Sequence, residues 1–194
     1  MKTIAFFLEE LSAKVMLEGF INAHFRYDPA EFDLQYRVHE GKQDLENHLE
    51  NRIKYWKTPD TVFVVMRDQD GGDCLAIKRK LKVKCEAAGH PEAIVRIACH
   101  ELESFYLGDP AAIEKGLEIH HIGKHDRRKL FRQPDSIDQP SKQLAYITKN
   151  KYQKIDGSRK IAPCLNPAIN TSKSFNVLYS TLCRLLEDVE ETAK

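Results

Sequence analysis

Apolar runs along the chain alternate with stretches whose apolar positions recur every three or four residues, the signature of strands and helices taken in turn. Thr3 to Leu8 reads as a buried strand that stops at Glu9 and Glu10. Ser12 then stands where a helix N-cap is expected, and Val15, Met16, Phe20 and Ile21 fall on one helical face. Leu34, Tyr36 and Val38 alternate with polar residues, which predicts a second strand at a sheet edge with one wetter face. After a turn at His39 to Lys42, Leu45, Leu49, Ile53 and Trp56 line up at i, i+4, i+8 and i+11 as an amphipathic stripe. Val62 to Met66 is rich in β-branched residues and bounded by Pro59 and Asp60, so it predicts a strand buried on both faces. A helix over Cys74 to Glu86 follows, and beyond Gly89 a fourth strand spans Ala93 to Ala98.

Strands separated by helices of this length predict a doubly wound, mainly parallel four-stranded α/β sheet with helices on both faces. Right-handed crossovers put the C-terminal ends of all such strands along one edge, where open α/β sheets place their sites. Acid marks that edge after three of the four strands. Glu9 and Glu10 follow the first, Asp68, Asp70 and Asp73 the third, and Glu101 and Glu103 the fourth. Gly71 and Gly72 permit the tight backbone that converging carboxylates need. Any one of these aspartates is, by type, also a preferred helix N-cap. Several together are oxygen donors suited to a hard cation such as Mg²⁺, which takes one or two carboxylates with water and phosphate. An EF-hand is excluded, because counting from Asp68 the sixth position is Asp73 rather than Gly and the twelfth is Arg79 rather than Glu. If the first and third strands are neighbours, ~4.8 Å separates them and Glu9 and Asp68 can share one cation.

Charge changes the picture beyond residue 112. Residues 1–112 form the α/β core and carry 15 Lys and Arg against 19 Asp and Glu, whereas residues 113–194 carry 15 against 10. The second stretch reads as a basic, mostly helical C-terminal extension packing on the core, closed by an amphipathic helix over Phe175 to Val189. Within it, residues 124–160 hold 11 basic residues against four acids, interleaved with Phe131, Tyr146 and Tyr152. Pro134 and Pro140 forbid one continuous helix there. Such a tract suits a polyanion, with cations on phosphates and rings on bases, and it equally describes a solvated surface that packs its aromatics inward. The candidate cations for a nucleic-acid backbone are Lys42, Arg67, Lys149, Lys151, Lys154 and Lys160. His120, His121 and His125 cluster but lack the cysteine or acidic pair of a zinc set, so they read as surface histidines. Five cysteines without CxxC spacing read as reduced, mostly buried thiols. The apolar run Ile4 to Leu8 is too short for a signal peptide or a membrane span, and the expectation is a soluble cytoplasmic protein with no membrane partner.

A glutamate after the first strand and a D-x-D after the third resemble the Toprim domain of topoisomerases, primases and the overcoming-lysogenization-defect nucleases. More closely, the segments FLEELSA (Phe7 to Ala13), HEGKQDLE (His39 to Glu46), VVMRDQDGGDC (Val64 to Cys74) and RIACHELESFYLGD (Arg96 to Asp109) resemble a bacterial Toprim-like family of about this length, of the DUF4276 type. The C-terminal part is similar more loosely, through QPSKQL (Gln139 to Leu144) and Tyr152 to Lys160. The resemblance implies that Glu9, Asp68 and Asp70 are catalytic metal ligands, with Asp73 beside them and Glu101 and Glu103 as an acidic pair for a second ion. It implies a Mg²⁺-dependent nuclease, with Mn²⁺ able to substitute, acting on DNA or RNA. It also implies a co-encoded ABC-type or AAA-type ATPase as a partner and a role in defence against phage. Many Toprim domains carry Gly directly after the glutamate, whereas Glu10 here either adds a ligand or crowds the substrate. Two other readings stand beside this one. One is a non-catalytic subunit that binds the ATPase or a nucleotide. The other is a haloacid-dehalogenase-type phosphatase, whose D-x-D belongs on the first strand and which gives Glu9 no role.

Overall fold

A computed structural model of the chain describes residues 1–122 and 128–187. Four strands, β1 (Lys2–Leu8), β2 (Phe32–Val38), β3 (Thr61–Asp68) and β4 (Ile94–Ala98), form one sheet in the order β2-β1-β3-β4, with every pair parallel. The alternating pattern of Leu34, Tyr36 and Val38 has its cause in β2 lying at the edge, where most of its side chains are only partly buried. β1 and β3 are the central pair, joined with Leu8 level with Met66, and their apolar runs are buried on both faces.

Alternation along the strands sorts the core into two layers. Ala5, Phe7, Phe63, Val65, Val95 and Ile97 face α2 (Lys42–Lys54) and α3 (Cys74–Ala87), whose Leu45, Leu49, Ile53, Leu81 and Cys85 cover them. On the other face, Ile4, Phe6, Leu8, Val64 and Met66 meet Met16, Leu17, Phe20 and Ile21 of α1 (Leu11–His24). The same buried cluster runs on through α4 (Glu103–Leu107), α5 (Pro110–Leu117), α7 (Pro140–Ile147), α8 (Lys154–Ile161) and α9 (Lys173–Leu186), and a short α6 spans Arg128–Arg132. Residue 112 lies inside α5, and this cluster takes residues from Ile4 to Leu186, so the acidic and basic stretches share one core.

The start of α1 differs from the sequence reading. The helix begins at Leu11 with Glu10 at the N-cap, and the buried Ser12 hydroxyl donates to Glu10 Oε1 at 2.6 Å instead of capping. α8 sits close to its neighbours because two glycines leave no room for a side chain. A Cβ on Gly116 would lie 2.6 Å from the Lys160 carbonyl oxygen, and Gly157 packs directly on the Tyr152 ring. All five cysteines are free, but only Cys85 is buried while the other four are partly exposed. Among the described residues, no helix is long and apolar enough to cross a membrane.

Candidate functional site

The loops after β1, β3 and β4 meet at the C-terminal edge of the sheet. Glu9 continues the ladder, its amide donating to the Met66 carbonyl at 3.2 Å, and its Oε2 accepts the Asp68 amide at 3.0 Å. The loops after β3 and β4 are bonded to each other. Gln69 N–H donates to Ala98 O at 2.9 Å, Asp70 N–H to His100 O at 2.7 Å, and His100 N–H to Gln69 Oε1 at 3.2 Å. Asp70 and His100 both adopt the left-handed region, with φ of 54° and 57°, a conformation that Asp tolerates better than most residues.

Register divides the acids between the two faces of the sheet. Because Leu8 is level with Met66, Glu9 is level with Arg67, and Asp68 lies one position further with its side chain on the opposite face. On the Arg67 face the charges are compensated. Arg67 is buried, with Nη1 2.5 Å from Glu46 Oε1, Nε 3.8 Å from Glu9 and Nη2 3.6 Å from Asp70. Lys42, the first residue of α2, reaches Asp70 Oδ2 at 2.8 Å, and Lys80 reaches Glu46 at 2.5 Å. Burial pushes the Glu9 carboxyl above its ordinary range, against the Asp68 N–H bond and the Arg67 charge that pull it down.

The other face is short of donors. Asp68 is buried and, among the described residues, no group donates to its carboxylate. Burial, reinforced by the carboxylates of Glu103, Glu9 and Glu10 and opposed by Lys154, holds Asp68 well above the usual carboxylate range. Glu103, in the first turn of α4, is fully buried; Tyr152 Oη donates to its Oε1 at 2.8 Å, and its Oε2 has no partner. Burial also raises Glu103, again against the Tyr152 bond and Lys154. Tyr106 Oη is buried nearby without a partner. Lys154, at the start of α8, pairs with Glu10 at 2.7 Å, and its side chain stays half exposed. Glu10 therefore stands between the α1 N-terminus and this lysine.

The remaining candidates lie as follows. Asp73 Oδ1 accepts the Ala76 amide at 2.6 Å and is the N-cap of α3, while Glu101 Oε2 accepts the Ser141 amide at 2.7 Å in the first turn of α7. Lys149 and Lys151 are exposed on the loop between α7 and α8, and Lys160 pairs with Asp156 at 2.6 Å. Of the aromatics in the basic tract, Phe131 and Tyr152 are buried and Tyr146 is 74% exposed. His120 and His121 are exposed; His125, Lys124 and Arg127 lie outside the described residues. Two members of the site lie within the family segments, but the resemblance assigned them no site role. Glu46 is an ordinary helix-surface residue by spacing, and Tyr152 is an aromatic 49 residues from the carboxylate it serves.

Hard oxygen donors fit a hard cation. The buried oxygen of Glu103 without a partner and the unbonded Asp68 carboxylate are a two-carboxylate donor set of the kind Mg²⁺ uses, with Glu9 and Glu10 adjacent. Among the described residues, no three His, Cys, Asp or Glu side chains meet in a group able to hold a metal ion by themselves, so an ion held at Asp68 and Glu103 would need water or substrate oxygens to complete its shell.

Compared with known families, residues 5–183 match the model described as a domain of unknown function, DUF4276. The chain belongs to the DUF4276 family. Among solved structures, this DUF4276 chain is similar to the C-terminal region of the Burkholderia pseudomallei OLD protein at 15% identity, with a TM-score of 0.51 over 94% of this chain and 99% of that one. Identity that low speaks for the fold, and the fold is Toprim-like. Comparison of the DUF4276 chain with curated proteins finds no match.

Proposed function

We propose that this protein is a metal-dependent nuclease that cleaves phosphodiester bonds in DNA or RNA. The observation that carries the proposal is the buried Asp68 and Glu103 pair at the C-terminal edge of a Toprim-like sheet, where, among the described residues, no group donates to the Asp68 carboxylate and Glu103 Oε2 has no partner. Asp68 and Glu103 would hold Mg²⁺ or Mn²⁺ with Glu9 and Glu10 beside them, and such an ion supplies phosphate polarisation and water activation. The chain's own residues do the rest. Glu9, raised by burial and fixed by the Asp68 amide, is placed to hold a proton at its free oxygen as general base. Lys154 can leave Glu10 for a phosphate oxygen, since its head is half exposed. Lys149 and Lys151 stand in solvent for the flanking backbone.

A second reading is favoured by one observation. Lys42 and Arg67 already neutralise Asp70, as in a non-catalytic Toprim-fold subunit that binds an ATPase or a nucleotide without metal. One assay separates the two. Wild type and Asp68→Asn are incubated with labelled single-stranded DNA, duplex DNA and tRNA in Mg²⁺ and in Mn²⁺. Cleavage by wild type alone, with binding retained by Asp68→Asn, is the expected result. Lys149→Glu with Lys151→Glu should weaken binding and flatten its salt dependence by about 0.9 in log-log slope for each phosphate that is no longer neutralised. Equal cleavage by Asp68→Asn would trace the activity to a contaminant, and no cleavage in any condition would favour the subunit.

A further inference from the structure

We infer that a cavity of about 450 Å³ beside β2 is a stacking subsite for one nucleotide of a single strand, a proposal that rests on the nucleic-acid reading above. Its lining is Phe7, Arg37, Asn51, Arg52, Tyr55 and Trp56. The volume is within the roughly 300–1,000 Å³ of small-ligand sites. Three of the six residues are aromatic, two are guanidinium cations, one is an amide and none is acidic.

The arrangement is built from both directions of the fold. Phe7 is fully buried and forms the floor, with its ring 5.8 Å from that of Trp56. Trp56 is held by its indole N–H, which donates to Thr61 Oγ1 at 3.0 Å. The Arg37 guanidinium lies 5.0 Å from the Trp56 ring centroid, and Tyr55 is 66% exposed at the C-terminal end of α2. Among the described residues, neither Arg37 nor Arg52 is within ion-pair distance of an acid, unlike Arg67, Lys42 and Lys80 on the same side of the sheet. Two uncompensated cations beside exposed ring surface suit a ligand with a flat π-face and a negative charge. Asn51 adds a group that both donates and accepts, as base edges require.

Position relates the cavity to the acidic site. Phe7 is level with Arg37 in the β1–β2 ladder, two residues before Glu9. Two residues of strand are ~7 Å, a separation that an unstacked single strand spans between neighbouring nucleotides. The cavity opens on the same sheet face as Glu9, so a strand whose scissile phosphate lies at the Glu9 end of β1 carries a neighbouring base along that face to this cavity. A duplex would keep that base in its stack, so the subsite selects single-stranded or frayed substrate.

Trp56 is the single tryptophan of the chain, so its emission reports on this cavity alone. The test titrates the Asp68→Asn chain in metal-free buffer with a ten-nucleotide oligothymidylate, with thymidine monophosphate and with inorganic phosphate, following Trp56 fluorescence, while gel mobility reads oligonucleotide binding independently. The oligonucleotide should quench emission saturably at a concentration at least tenfold below the mononucleotide, and phosphate should do nothing. Adding Tyr55→Ala, at an exposed position that should not disturb folding, should weaken oligonucleotide binding by about fivefold or more, the loss of one stacked base. A mobility shift without quenching overturns the subsite and leaves the nucleic-acid reading standing. Neither signal overturns both. Equal affinity for the mononucleotide replaces the strand with a free nucleotide as ligand and also overturns the proposal. Quenching that Tyr55→Ala weakens, with no cleavage by wild type in Mg²⁺ or Mn²⁺, supports the subsite and refutes the nuclease.

Discussion

Replacing Asp68 with asparagine should stabilise the metal-free protein while removing its response to metal. Asp68 is buried among Glu103, Glu9 and Glu10, and no group donates to its carboxylate among the described residues. A buried polar group left without a partner costs about 1–3 kcal/mol, and a charged one costs more. Asparagine removes the like-charge repulsion and supplies an N–H₂ donor toward its carboxylate neighbours, so about 1–3 kcal/mol should return. For a chain of this size that raises Tm by roughly 2–12 °C, at about 2–4 °C per kcal/mol. Metal should act in the opposite order. At a concentration of ~100 Kd a ligand that binds only the folded state adds about 2.7 kcal/mol, a Tm rise of roughly 5–11 °C in wild type. The assay is a pair of thermal melts, in chelator and in millimolar Mg²⁺ or Mn²⁺. Asp68→Asn should melt higher in chelator and show no metal shift. A variant that melts lower than wild type in chelator would refute the account of an unsatisfied carboxylate, and a wild type indifferent to both metals would refute the site.

Asp73→Ala should cost about 1 kcal/mol through the lost N-cap of α3, seen as a Tm drop of about 2–4 °C with the metal shift unchanged; a lost metal shift would make Asp73 a ligand. Tyr152→Phe deprives Glu103 Oε1 of its donor and should lower stability by about 1–3 kcal/mol in denaturant melts, with part of that restored by metal. Burial pushes the Cys85 thiol up to about 11, above its value in the unfolded chain. The unfolded state therefore loses that proton first as pH rises, and stability falls between about pH 9 and 11. Cys85→Ala should shallow this alkaline loss, as a series of urea melts from pH 8 to 11 would show.

The four strands, their common edge and the edge position of β2 were legible because each rests on a local signal, the run length and period of apolar residues. The family segments pointed to Glu9, Asp68 and Asp70, and the structure places all three at that edge. What local pattern could not give was the register between β1 and β3, which puts Glu9 and Arg67 on one face and Asp68 on the other. Nor could it show that Asp70 is held by Lys42, since the two are 28 residues apart on separate elements. The basic tract reads as a stacking surface, yet Phe131 and Tyr152 are buried in the cluster where α7 packs on α4 and α8 on α1 and α5. Ser12 misled for a different reason. Its type suits a cap, but a neighbouring carboxylate captured its hydroxyl.

The close approach of Gly116 to α8 bears on where a lysine can sit. Lys154 begins the helix whose other end rests, backbone on backbone, against Gly116 at Lys160 and Ile161. A helix of eight residues moves nearly as a rigid rod ~12 Å long, so a methyl group wedged under its far end tilts the near one. The electrostatics at Asp68 and Glu103 are thus partly a matter of carpentry, with an atom left out of α5 setting the reach of a charge at the opposite end of α8.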